Sequence, residues 1–244
     1  MKLITILFIL IFIACGYGHA QISTTHQNLY WLRYYNQLSI NQKFIWHNEI
    51  EERRFFQNNK ANNLIIHSRL HYKIKHNLDV AAGLTYSEQG SQSPNTTTNF
   101  KVPEIRPVQE LNYTLPISRK FALQQRLRLD QRFIRSNDGS ELQHGYRFNL
   151  RFRLRFQLLY KLTSDTCKNQ TTVKIANELM INAGKNIIYN QFDQNRIYIA
   201  IQQGFNKNIA LELGYLKIYQ QKAVGNQFLN RDIFRLSLYH RLRI

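Results

Sequence analysis

The chain has 244 residues, with 33 Lys+Arg against 15 Asp+Glu, a formal charge of +18, and 43% hydrophobic and 13% aromatic residues. That apolar content is too high for a disordered chain despite the charge, and two Cys exclude both a disulfide scaffold and a Cys-rich metal cluster. Few Pro and many aromatics at this length fit one large, strand-rich domain.

Met1-Lys2 is a short positive start, and Leu3 to Ile13 is apolar apart from Thr5. Such a run has the length of a signal-peptide core and is too short to span a bilayer. Gly18-His19-Ala20 supplies small residues where a signal peptidase reads, so cleavage is expected before Gln21, leaving residues 21–244 as one domain. Cys15 opens a competing lipoprotein reading, but Phe12-Ile13-Ala14 is a poor lipobox. With cleavage after Ala20, Cys167 is the one mature thiol. No later stretch approaches the roughly 20 apolar residues of a transmembrane helix. Two classes remain: a soluble secreted protein, or a barrel that crosses a membrane with alternating strands.

From residue 29 onward the chain alternates with period two. A weak example covers residues 29–39. Phe44, Trp46 and Ile50 then oppose Lys43, His47, Glu49, Glu51 and Arg53; Leu64, Ile66, Leu70, Tyr72 and Ile74 oppose His67, Arg69, His71 and Lys73. Weaker stretches follow at 78–88 and 104–115. Phe121, Leu123, Leu127, Leu129 and Phe133 oppose Gln124, Arg126, Arg128, Asp130 and Arg132. The clearest strand is Gly145 to Phe156, GYRFNLRFRLRF, apolar on one parity and cationic on the other. Residues i and i+2 share a strand face, whereas a helix would scatter both sets. Weaker stretches at 172–182, 195–204 and 209–219 precede a last strong one, in which Phe234, Leu236, Leu238 and Leu242 oppose Arg235, Ser237, Tyr239 and Arg241.

These are eleven candidates. Their connections alternate between short ones (75–77, 116–120, 206–208) and long polar ones (89–100, 183–193, 220–230), as in an up-and-down antiparallel barrel with short turns at one end. Single-chain bacterial outer-membrane barrels have even strand numbers. Ten or twelve strands are therefore expected, with 29–39 outside the barrel or a further strand hidden within Gln157–Gln170. Long strands, nearly uninterrupted apolar faces and aromatic strand ends favour an apolar face turned to lipid over a soluble barrel closed around an apolar ligand.

Catalytic and cofactor signatures are sought without result. The sequence has no Gly-rich phosphate loop, no His-Glu-x-x-His and no Gly-x-Ser-x-Gly. His67 and His71 share a face but stand about 13 Å apart along a strand, too far to chelate one metal. Ser68 with His67, and Ser237 with His240, differ in parity and point apart. No metal, cofactor or catalytic residue is assigned. RFRLRF as a nucleic-acid patch is set aside, because it alternates behind an export signal. The informative constellation is a lumen charge ladder: Arg126, Arg128, Arg132, Arg147, Arg151, Arg153 and Arg155 with Glu104, Glu110, Asp130, Glu178 and Glu212. It reads either as a cationic pore attracting small anionic solutes, or as ion pairs that fill a narrow lumen.

Glu104-x-Arg106-Pro107-x-Gln109-Glu110-Leu111, Gln125-Arg126-Leu127-Arg128-x-Asp130-Gln131-Arg132-Phe133 and Arg151-Phe152-Arg153-x-Arg155 resemble a bacterial family called domain of unknown function 2490. Asn177-Glu178, Phe192-Asp193-Gln194-Asn195-Arg196 and Gly214-Tyr215 continue the resemblance over nearly all of the mature chain. The family is common in Bacteroidetes and presumed to form outer-membrane barrels. The resemblance implies a Gram-negative outer-membrane address, with membrane lipid and the outer-membrane assembly machinery as partners, and it supplies no reaction. Ile244 departs from the terminal aromatic common in such proteins. Two further readings stand beside a structural or weakly anion-conducting barrel. One is a barrel enzyme acting on membrane lipid or lipid A, the other a soluble ligand-binding barrel.

Overall fold

The computed structural model describes residues 22–97, 100–164 and 169–244. The expected signal segment 1–20, with Cys15, and Cys167 lie outside the described residues. The strands are β1 (Ser23–Ser39), β2 (Phe44–Phe55), β3 (Ala61–Lys75), β4 (Leu78–Gln89), β5 (Val102–Pro116), β6 (Phe121–Asn137), β7 (Leu142–Lys161), β8 (Thr171–Ala183), β9 (Phe192–Gly204), β10 (Ile209–Gln221) and β11 (Gln227–Arg243). They close into one barrel in chain order.

Each strand pairs antiparallel with its chain neighbours, and β1 meets β11 in parallel, from Ser23↔Gln227 to Ser39↔Arg243. The expectation of ten or twelve strands is corrected to eleven. The eleven alternating stretches are the eleven strands, and an odd number closes because one seam runs parallel. Residues 29–39 belong to a full barrel strand, bonded on both sides. Residues 157–161 simply extend β7, and no separate strand lies among the described residues of 157–170.

The turns explain the register. The Asn41 side-chain oxygen accepts the N–H groups of Lys43 and Phe44, each at 2.8 Å. Ser118 does the same for Lys120 and Phe121, Asn206 for Asn208 and Ile209, and Asp138 for Ser140 and Glu141. A short side chain that bonds the backbone two and three residues on fixes a tight reversal. The turns at 40–43, 76–77, 117–120 and 205–208 lie at one end, the turn end, with the nine-residue connection 162–170. The longer connections 90–101 and 184–191 lie at the opposite, loop end, with 56–60, 138–141 and 222–226. The expected long loop 220–230 shrinks to five residues, because β10 and β11 stay paired out to Gln221↔Phe228.

The apolar parity faces outward. Phe152 is 49% exposed and Leu127 54%, with Ile50, Leu70, Leu213, Phe234 and Leu236 similarly bare on other strands. Aromatic pairs ring both ends of this outer face. Phe44–Tyr72 and Phe121–Tyr160 stand at the turn end; Tyr30–Phe56, Phe133–Phe148 and Tyr219–Phe228 stand at the loop end. Polar groups on the outward parity bond one another, as Trp46 Nε1 does to Ser68 Oγ and Ser68 Oγ to Asn48 Oδ1, and two outward ion pairs, Arg54–Glu52 and Lys217–Asp232, do the same.

The interior is charged apart from a wedge beside the seam, where Leu29, Trp31, Phe55, Ala176, Tyr198, Ala200, Leu216, Ile218 and Ile233 pack together. Gly214 makes room for it. A Cβ there would stand 2.4 Å from the Tyr198 ring, which crosses β10 to donate its hydroxyl to Glu212 at 2.6 Å. Gly214→Ala is expected to displace that ring and cost roughly 1–3 kcal/mol by overpacking, seen as a lower urea midpoint with an unchanged slope.

Candidate functional site

Inward-facing positions of adjacent strands bring most of the charge ladder together. On β5, Glu104 accepts Arg106 at 2.6 Å and Arg132 at 2.5 Å. On β6, Asp130 holds Arg128 at 2.5 Å and Arg151 at 2.7 Å, with Arg153 at 3.6 Å. Glu110 joins Arg69 at 2.8 Å and Arg128 at 3.2 Å. On β8, Glu178 takes Arg126 at 2.5 Å and Arg153 at 2.9 Å, with Arg196 at 4.0 Å. Strand pairing sets part of this pattern: Glu110 lies opposite Arg128 and Asp130 opposite Arg151.

Three of the selected residues stand apart. Glu212 forms a separate hub with Lys174 at 2.6 Å, Arg235 at 3.4 Å and the hydroxyls of Tyr198 and Tyr239. Arg155 makes no ion pair or hydrogen bond recorded among the described residues, and its buried Nε has no acceptor. Arg147 was expected inside the lumen with the others, and this is corrected: it is exposed and lies off the cavity wall. Residues 142–149 of β7 pair with β6 alone, since β8 reaches only to Leu150↔Ala183. The hairpin therefore projects past its neighbour and carries Arg147 with it.

The ladder surrounds a cavity of about 470 Å³. Fifteen Arg and Lys side chains line it against six carboxylates, Glu49, Glu51, Asp79, Glu110, Glu178 and Glu212. Glu104, Asp130 and Asp193 are buried in the wall beside them. Even with those three the cations lead, so the interior carries a positive excess held away from bulk water, where fields are less screened.

Trp31, Arg33 and Arg231 were not singled out from the sequence, and Arg196 entered only through the family resemblance, though all four line the cavity. Their signal was parity: Arg33 shares a face with Trp31 in the weak alternation at 29–39, and Arg231 stands just before the apolar run that marked β11.

The remaining titratable groups are arranged differently from metal or nucleophile sites. His71 lies beside His47 of β2, with ring centroids 3.8 Å apart. Their Nδ1 atoms bond Asp79 at 2.7 Å and the Tyr35 hydroxyl at 2.6 Å. Among the described residues no three His, Cys, Asp or Glu side chains converge on a metal position. Ser68 faces outward and His67 inward, bonded to Thr85. Ser237 is buried inside, while His240 bonds Tyr34 on the outer face.

The model of one family, described as Protein of unknown function (DUF2490), matches residues 28–229, from β1 into β11. The chain belongs to the DUF2490 family. A comparison with curated proteins gives no match. The DUF2490 span contains every residue of the ladder, from Glu104 to Glu212, and leaves Arg231 just outside it. In this DUF2490 barrel the stretches that carried the family resemblance, around Glu104-x-Arg106, Arg128-x-Asp130 and Asn177-Glu178, form ion pairs along the inner wall, within one strand at Glu104–Arg106 and Arg128–Asp130 and between neighbouring strands at Arg153–Glu178.

Proposed function

We propose that this DUF2490 protein is an outer-membrane β-barrel whose narrow, ion-paired lumen admits small anions in preference to cations. One observation carries the reading: the polarity is inverted, with apolar side chains outside and charged ones within. In water the outward Leu, Ile and Phe faces would form an apolar belt far larger than a soluble monomer exposes. In lipid, that belt with aromatic girdles at both ends is the expected surface of a spanning barrel. The positive excess favours anions, and the carboxylates that bridge Arg pairs narrow the path and hold its walls. The charged interior disfavours the alternative of an apolar-ligand carrier.

The expected result is that the protein fractionates with outer membrane, resists salt extraction and needs detergent. Reconstituted in planar bilayers under a KCl gradient, it should show a reversal potential of anion-selective sign and a small unit conductance. Recovery in the salt-washed soluble fraction would reject the membrane reading; a cation-selective potential would reject the role given to the lumen.

A further inference from the structure

The surplus of positive charge is not spread evenly, and one poorly compensated part surrounds Trp31 in the loop-end half of the lumen. Arg53, Arg196 and Arg231 stand within a few residues of the loop-end termini of β2, β9 and β11. Arg231 is 7% exposed and bonds no carboxylate among the described residues. Its guanidinium donates to the neutral side-chain carbonyls of Gln27 at 2.8 Å, Gln220 at 3.1 Å and Gln92 at 2.7 Å. Arg196 donates to Gln194 at 3.1 Å, and its nearest carboxylate, Glu178 at 4.0 Å, is already held by Arg126 and Arg153. Arg53 pairs with Glu51 at 2.6 Å and lies over the Trp31 ring with its guanidinium 3.7 Å from the centroid; Arg196 lies 5.6 Å from the same ring.

Trp31 supplies the independent observation. It is 3% exposed and lines the cavity, and its indole Nε1 is buried with no acceptor among the described residues. An indole N–H can only donate, and a buried donor left unpaired is costly. The surrounding guanidiniums are also donors only, and buried charges of one sign require an opposite charge nearby. The unmet demand of the Trp31 indole is for an acceptor, and that of the guanidiniums around it is for negative charge.

We propose that the Trp31–Arg53–Arg196–Arg231 cluster is an oxyanion-binding subsite, taking the phosphate or carboxylate group of a small solute. Arg231 and Arg196 supply paired N–H donors matched to such a group, the Trp31 N–H supplies a further one, and Arg53 holds the indole in place by stacking. Gln92, from the 90–101 loop, covers Arg231 from the loop end, so a solute arriving there meets this subsite before the paired ladder. This inference rests on the reading of a lumen open to small anions.

The test uses the detergent-folded protein carrying Trp46→Phe, an outward position, which leaves Trp31 as the one indole of the chain. Emission is followed while inorganic phosphate, or separately succinate, is added at constant ionic strength. Saturable change with phosphate is expected, weakened at least tenfold by Arg231→Gln and less by Arg231→Lys, which keeps the charge. An equal response to succinate assigns a general oxyanion site, and a response to phosphate alone assigns phosphate. No saturation with either, or a midpoint unmoved by Arg231→Gln, overturns the proposal. Should Arg231→Gln not fold, Arg196→Gln is read the same way. Reversal potentials on the same variants separate the two readings. Anion selectivity without saturable emission rejects the subsite and keeps the cationic lumen. Loss of selectivity with saturation intact rejects anion passage and keeps the subsite.

Discussion

Glu104→Gln is expected to be the most damaging single change inside the barrel, at roughly 3–5 kcal/mol for breaking a buried ion pair. Glu104 is fully buried and, among the described residues, is the one carboxylate bonded to either Arg106 or Arg132. Gln89 also bonds Glu104, and Arg106 has the Ser87 hydroxyl at 2.9 Å, but neither neutral group supplies charge. The amide would leave two buried guanidiniums facing each other's field. Arg153→Gln should be milder, roughly 1–3 kcal/mol for lost charged hydrogen bonds, because Glu178 keeps Arg126 and Asp130 keeps Arg128 and Arg151. Urea unfolding in detergent, followed by the heat-modifiable gel shift, ranks the two. Equal midpoints would show that Glu104 is not the hub described.

Phe152→Arg tests the outer face. Phe152 projects outward from the middle of β7 between Arg151 and Arg153, which both point inward. In a bilayer the substitution sets a cation in hydrocarbon, at roughly 2–4 kcal/mol near the midplane. In a soluble barrel the same change would relieve an exposed apolar site and be neutral or favourable. Folding into lipid vesicles is therefore the discriminating assay. Loss of stability in vesicles with little effect in detergent supports the lipid-facing assignment. Unchanged folding in vesicles would sink it.

Much of this architecture was legible because one physical rule dominates. A barrel with opposed faces writes its parity into every strand, so GYRFNLRFRLRF sets Phe152 and Arg153 on opposite faces, and strand length, unbroken apolar faces and aromatic strand ends turned Phe152 outward. Strand number was legible as well, and the even-number regularity pulled the expectation away from it, since parity along a strand says nothing about the direction in which the first and last strands meet. The projecting β6–β7 hairpin was hidden for a related reason: Arg147 keeps the inward parity and lacks only a β8 neighbour. Partner choice was not legible. Glu110 and Glu178 look equivalent in sequence, yet Arg153 on β7 goes to Glu178 on the adjacent β8, while Glu110 lies two strands away on β5. Trp31 and Arg231 went unnoticed because their importance arises across the seam, between residues two hundred positions apart.

That seam has a consequence for how the barrel is made. Ten of its eleven pairings join neighbours along the chain and can form as hairpins, each closing a short loop. The parallel β1–β11 pairing joins residues such as Gln27 and Arg231, separated by 204 positions, so it cannot form as a local hairpin. Until it forms, the curled sheet has two long free edges with unpaired backbone groups. These edges run in the same direction, so β11 of one chain can accept β1 of another with the hydrogen bonds it would make to its own. Assembly is thus decided at one place, where joining its own first strand competes with capture of another chain, and dilution favours the monomeric barrel.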